Sequence, residues 1–165
     1  MKTYQIHLIR HGVTDGNING QYIGSTDIPL NDTGKEHIRL LDESFLYPGA
    51  GAYFTSPMKR CRQTLEIIYP GVKPIEIDEF RECDFGEFEG LTAEQLSGSR
   101  DFAEWLASDG HSAPPGGESG IEFGTRVCDA FQKIVDALMK TGIPSAVIVT
   151  HGGVLMTILA HFGLP

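Results

Sequence analysis

The stretch LIRHGVTDGN, Leu8 to Asn17, ends an apolar run on Arg10-His11-Gly12 and then turns to small polar residues. The residues before it, Thr3 to Arg10, read as a strand. A strand that closes on an arginine beside a histidine brings two reactive side chains to one edge of a sheet. What they do there depends on what the other strands bring.

Three further strands are expected, over Ala52 to Thr55, Val72 to Asp78 and Ser145 to Thr150. Helix signals lie between them. Thr33 with Glu36, Thr92 with Gln95 and Ser119 with Glu122 have the spacing of capping boxes. Ser56-Pro57 offers a cap residue followed by proline at the first helical position. A long helix after Ser119 carries Val127, Phe131, Ile134, Val135 and Leu138 on one face and stops at Gly142, with Pro144 beyond. A shorter helix is expected over Asp101 to Ser108, and HSAPPGGES reads as a loop. Strands alternating with helices predict an α/β fold of three layers, a mainly parallel central sheet covered by helices on both faces. Ligands of such folds bind outside the carboxyl ends of the strands.

Composition sets the limits. The chain has 165 residues, 41% hydrophobic and 21% charged, which is one domain's worth of ordinary globular sequence. Its net charge of −9 argues against nucleic-acid and anionic-membrane partners. An anion site must therefore be a local concentration of positive charge. Three cysteines without C-x-x-C spacing point to reduced thiols in a cytoplasmic setting, not to a zinc site or disulfide framework. The N-terminal MKTYQIHLIR lacks a signal peptide's apolar run, and no segment has the length of a membrane span.

The strand ends carry the chemistry. The first ends at Arg10-His11-Gly12, and the second leads into Arg60 in the first turns of a helix. The third leads into Phe80-Arg81-Glu82-Cys83-Asp84, and the fourth ends at His151-Gly152-Gly153. Two histidines and two arginines beside an acid suit phosphoryl transfer, in which positioning and positive charge do most of the catalytic work. Arg10 and Arg60 can each present paired N–H donors to phosphate oxygens. A neutral His11 can attack phosphorus from one ring nitrogen while a backbone carbonyl holds the other. Gly12 is expected to let phosphate approach the backbone, and His151 to complete the cage as a cation. The set calls for no metal and no cofactor. The leaving alcohol needs a proton donor, and local sequence leaves Glu82 and Asp84 as alternatives. Phe80 and Phe85 are expected to desolvate the donor while Asp84, Glu87 and Glu89 repel its charge, both favouring the protonated acid.

Five spaced segments, LIRHGVTDGN, TSPMKRCRQT, FRECDFGEFEG, PPGGES and VTHGG, resemble the histidine phosphatase superfamily, the phosphoglycerate mutase-like proteins, from about Ile6 to Pro165. The resemblance implies that His11 forms a phosphohistidine. It further implies that Arg10, Arg60, His151 and Asn17 hold the phosphoryl group, and that Glu82 is the proton donor. Cys83 after Glu82, where mutases carry basic residues, and Gly153, where they tend to have asparagine, favour a phosphatase. The TSPMKRCRQT and acidic-aromatic segments look similar to the alpha-ribazole and broad-specificity phosphatase branches. The expectation is one domain, 1–165, hydrolysing a small phosphorylated metabolite. A mutase-type phosphotransferase and a non-catalytic phosphate-binding module are the competing readings. Many members continue into further strand where this chain has Phe162 to Pro165; the resemblance leaves a naturally short member and a trimmed one as alternatives, and a trimmed chain is expected to leave a sheet edge bare.

Other residues carry blander expectations. Lys59 and Arg62 read as solvent-facing or structural, and His7 as a strand residue. His37, His111 and His161 have no partner motif. Asp84, Glu87 and Glu89 read as a solvated acidic face, and Phe102, Trp105 and Leu106 as packing. Gly116-Gly117-Glu118 is expected at the pocket rim.

Overall fold

Ser145 to Thr150 (SAVIVT) is the strand with the least access to water, every residue from Ala146 onward being buried. A strand this uniformly apolar belongs in the middle of a sheet with helices above and below. In the computed structural model, which describes residues 2–44 and 47–163, it is β4 and lies between β1 (Gln5–Arg10) and β2 (Ala52–Thr55). β3 (Ile75–Glu76) pairs with β2, giving one sheet in the order β1-β4-β2-β3 with all neighbours parallel. All four carboxyl ends therefore face one side. The fold is the three-layer α/β/α arrangement expected.

Seven α-helices complete the described chain: α1 (Asp15–Ile18), α2 (Asp32–Ser44), α3 (Lys59–Ile68), α4 (Ala93–Leu96), α5 (Arg100–Ala107), α6 (Gly120–Thr141) and α7 (Gly152–Phe162). On one face of the sheet, α6 and α7 bury Val127, Phe131, Ile134, Val154 and Ile158 against Ile148. On the other, α2 and α3 bury Ile38, Leu65 and Ile68 against Val147 and Val149. A third, smaller core is formed by Phe88, Leu96 and Phe102, with Tyr22, Phe85 and Trp105 packed around it. Phe102 and Trp105 thus pack as expected, whereas Leu106 stands exposed.

The α6 boundaries follow the sequence. Ser119 and Glu122 form the expected capping box, and Gly142 closes the helix in the left-handed region (φ 72°) that a side chain would strain. Thr92 and Gln95 cap α4 in the same way. Two other helix starts differ from expectation. The α2 cap is Asn31, whose Oδ1 accepts from Gly34 N at 2.7 Å, and not Thr33. The α3 helix begins at Lys59, with Asp27 accepting from its N–H at 2.7 Å in place of Ser56. β3 is shorter than expected because Val72 turns back onto Tyr69 O and Pro74 has no N–H to give a ladder.

β1 lies at one end of the sheet and pairs, among the described residues, with β4 alone. The sequence expectation of a bare sheet edge concerned the segment Phe162 to Pro165. Leu164 and Pro165, part of the segment behind that expectation, lie outside the described residues. No helix among the described residues is long and apolar enough to cross a membrane.

Candidate active site

β1 and β4 run in register to their tips, where His11 N donates to Thr150 O at 2.9 Å. That bond sets the two strand-end histidines side by side, ring centroids 5.2 Å apart and edge to face. The His11 Nδ1 lies 2.7 Å from Gly12 O, a contact that only the Nδ1–H tautomer satisfies. Nε2 is then left with a bare lone pair. Burial is the main reason the His11 pKa falls to about 4, with Arg60 and Arg10 adding to it against the Gly12 carbonyl. The imidazole is neutral at neutral pH, the state a nitrogen nucleophile needs.

Gly12 serves packing. A side chain there would run into Ile38, so the glycine lets α2 close over the strand tip, and Gly12 also lines the cavity shared by Arg10 and His11. Its N–H donates to Thr64 Oγ1 at 3.0 Å.

Arg60, on the first turn of α3, is 1% exposed. Its Nε donates to His151 Nδ1 at 3.2 Å, while Nη1 and Nη2 donate to the carbonyls of Thr26 and Gly24 at 2.8 Å each. Three of five N–H groups are thus used, and two remain. The Arg10 guanidinium lies over Gly152, where an added Cβ would sit 3.4 Å from its Cζ. Among the described residues neither Arg10 nor Arg60 makes a salt bridge with a carboxylate. Arg60 is a buried positive charge, which is costly unless a ligand anion meets it, whereas Arg10 is exposed.

His151 is not a cation. It is fully buried, and burial chiefly, then Arg60 and His11, lower its pKa to about 2. Its Nδ1 accepts from Arg60, so its Nε2 donates to Ser56 Oγ at 2.8 Å. In this structure the ring buttresses Arg60. The Cys61 thiol touches the same imidazole, 3.5 Å from Nε2, and burial raises its pKa so that it stays protonated.

Glu82 reaches the α7 N-terminus, where Gly153 N donates to its Oε2 at 2.9 Å, and Cys83 N donates to its Oε1 at 3.0 Å. A side chain at Gly153 would collide with this carboxyl. Asp84 lines the same cavity, its Oδ1 accepting from Ser25 Oγ and Gly86 N. Phe80 is sealed in the main core and Phe85 packs on Tyr22, so both have partners of their own. The Glu82 backbone is held by Arg126 of α6, which donates to the carbonyls of Glu79, Arg81 and Glu82 and pairs with Glu118 at 2.6 Å.

Asn17 does two things. Its Oδ1 accepts from Thr14 N and Oγ1 at 3.0 Å each, closing the α1 capping box, and its side chain lines a cavity with Arg10 and His11. Fixing Oδ1 leaves the amide nitrogen as a donor. That cavity, about 360 Å³, also meets His37, which carried no expectation of function. A second cavity of about 400 Å³ opens on Glu82 and is bounded by Ser25, Arg81, Asp84, Gly116, Gly117 and Glu118, so PPGGES does form a rim. A larger cavity, about 560 Å³ between α6 and α7, touches none of these strand-end residues. Lys59 and Arg62 face solvent, beside Asp27 and Glu76.

Ser56, Thr64, Glu89 and Arg126 are site-building residues that sequence reasoning missed. Only Ser56, one step past a strand end, and Glu89, inside an acidic-aromatic motif, carried a usable signal.

A parallel α/β sheet thus carries at its carboxyl edge a neutral histidine and two arginines without carboxylate partners. The chain belongs to the histidine phosphatase superfamily (branch 1), whose profile matches residues 6–164. A Bacillus subtilis protein named as an uncharacterized phosphatase, PhoE, is 41% identical over 90 residues, 53% of this chain and 47% of that protein. This chain thus spans about half the length of that relative. A Schizosaccharomyces pombe protein named as a probable phosphatase is 33% identical over 162 residues, 96% of this chain and 73% of that one. Phosphoglycerate mutases also occur among the relatives. The crystal structure of the alpha-ribazole phosphatase from Shigella flexneri superposes with a TM-score of 0.83 at 26% identity, over 97% of this chain and 80% of that one.

Proposed function

We propose that the protein is a phosphomonoesterase that works through a phosphohistidine and needs no metal. The observation that carries this is the His11 ring, fixed by Gly12 O with Nε2 bare, beside guanidiniums that lack carboxylate partners. Nε2 attacks phosphorus as the P–O bond to the leaving alcohol breaks, and Glu82 in its protonated form gives that oxygen its proton. Arg10, Arg60 and the Asn17 amide take the charge on the equatorial oxygens. Water then attacks the phosphohistidine, Glu82 recovers a proton from it, and phosphate leaves. The phosphatase-named relatives support hydrolysis.

The rim argues for water as acceptor and against a mutase. Asp78, Glu79, Asp84 and Glu118 surround Glu82, and the rim cations Arg81 and Arg126 already face Asp78 and Glu118. A substrate carboxylate, which a phosphoglycerate mutase must hold, finds no free cation there among the described residues. A small phosphorylated metabolite with an uncharged or cationic alcohol fits better.

Hydrolysis of an aryl phosphate in EDTA, wild type beside His11→Ala, tests the reading. Turnover is expected to survive the chelator and to vanish in the variant. Activity retained without His11 would overturn the role given to it.

A further inference from the structure

The acidic run FGEFEG ends in Glu89, which sequence reading places on a solvated face. Its carboxylate is instead half-buried and gathers a set of main-chain donors. Oε1 accepts from the N–H groups of Gly24, Ser25 and Phe85 at 2.9, 2.9 and 3.1 Å. Oε2 accepts from Thr26 N at 3.2 Å and from Thr26 Oγ1 at 2.6 Å. No lysine or arginine bridges to it among the described residues.

Three successive amides converging on one carboxylate fix the conformation of loop 24–26. The same loop is what Arg60 rests on, through the carbonyls of Gly24 and Thr26. The loop is also pressed from beneath, because a side chain at Gly24 would run into the Cys83 carbonyl next to Glu82. Arg60 needs this support. A guanidinium with two carbonyls on its Nη atoms and His151 on Nε has its plane set by three contacts, which leaves one N–H on each Nη for a ligand. Released from Glu89, the loop would lose the acceptor that aligns its amides, and the carbonyl pair would lose its spacing.

We propose that Glu89 is a positioning residue for phosphate capture, acting through loop 24–26 to aim Arg60. The proposal rests on the reading that Arg60 holds the phosphoryl group.

The test is a double-mutant cycle on the affinity for inorganic phosphate, using wild type, Glu89→Gln, Arg60→Ala and the double variant. Glu89→Gln is nearly isosteric but sets an NH₂ against donors, and it is expected to weaken phosphate binding roughly tenfold. In the Arg60→Ala background the same change is expected to cost less than about twofold, because the two residues act in series. Thr26→Val, an exposed site that loses only the 2.6 Å hydroxyl bond, is expected to give a smaller loss with the same dependence on Arg60. It keeps the test readable if Glu89→Gln folds poorly. Glu87→Gln, an exposed neighbour, is expected to leave the affinity unchanged.

Wild-type affinity in both Glu89→Gln and Thr26→Val would overturn the proposal. So would an equal loss with and without Arg60, which is what a purely structural role gives, or an equal loss in Glu87→Gln. Wild-type affinity in Arg60→Ala would instead remove the clamp reading itself, and this inference with it.

Discussion

Protonating His11 means placing a charge in a half-buried site already facing two guanidiniums, and the ring responds by staying neutral down to a pH of about 4. His151, sealed against Arg60, stays neutral to about 2. Two consequences follow for acid behaviour. The acid limb of kcat/KM, after allowance for the ionisation of the substrate, is expected near pH 4 instead of near the ordinary histidine value of 6.5. A limb at 6 to 7 would mean that His11 is not the buried nucleophile described above. Stability follows the same shifts. Below about pH 6.5 the unfolded chain takes up protons that the native histidines refuse. Native stability is therefore complete above 6.5 and falls as pH drops toward 4, with His151 carrying the decline toward 2. Urea midpoints measured from pH 7 to 4 are expected to fall less steeply in His11→Ala than in wild type. At this scale the sequence revealed which residues meet but not their states. The neutral His11 was readable, since a strand-tip histidine before a glycine can reach a backbone carbonyl. The His151 charge was not, because it depends first on complete burial in the fold and then on Arg60 arriving from a helix 91 residues away.

Helix starts are decided by what docks against them. Asn31, Asp32 and Thr33 are all cap-forming residues, and local spacing favours Thr33 because Glu36 follows. Asn31 wins because its N–H is tied to Val13 O and because Gly34 lies directly on Val13, which leaves the chain one way to enter α2. Asn31→Ala is expected to cost about 1 kcal/mol, or about 2–4 °C in Tm for a chain of this size. Thr33→Ala is expected to stay within about 0.5 kcal/mol. Thermal melts of the two variants side by side check this, and the reverse order would place the cap back on Thr33. The same logic explains Ser56. Its N–H goes to Val149 O and its hydroxyl oxygen accepts from His151 Nε2 and, at 3.4 Å, from Met58 N, so the N–H of Lys59 at the start of α3 is met by Asp27. Where an element is governed by its own residues, the sequence was enough. β4 reads as buried because every residue is apolar or small, and α6 carries its capping box, its apolar face and its terminal glycine within one segment. What stayed hidden were contacts made across the fold, such as Glu89 on loop 24–26 and Arg126 on the Glu82 backbone.

At the scale of the whole molecule, charge is arranged as a contrast. Within a chain of net charge −9, Arg10 and Arg60 stand without carboxylate partners, and the cavity that opens on Glu82 is itself lined by acids. On the function proposed above, the phosphoryl group would meet the arginines at contact, where attraction is strong and poorly screened. The leaving group meets the rim across water, where a carboxylate at about 4 Å from another is repelled by about 1 kcal/mol. Selectivity should therefore depend on the charge of the alcohol and less on its shape. Between two alkyl phosphates of matched leaving-group pKa, one with a neutral and one with a carboxylate-bearing alcohol, kcat/KM is expected to favour the neutral one by about five- to tenfold. Raising ionic strength from about 0.01 M to about 0.5 M shortens the screening length severalfold and is expected to narrow that ratio. Replacing Asp84 by Asn should narrow it too, since this carboxylate lines the rim while its proton-accepting bonds to Ser25 and Gly86 suit an amide oxygen equally well. A ratio of one, or a preference for the carboxylate that salt does not change, would mean that the leaving group does not pass the acidic rim. The mutase reading would then regain the ground that the rim denies it, because a bound carboxylate needs a cation that would have to come from elsewhere.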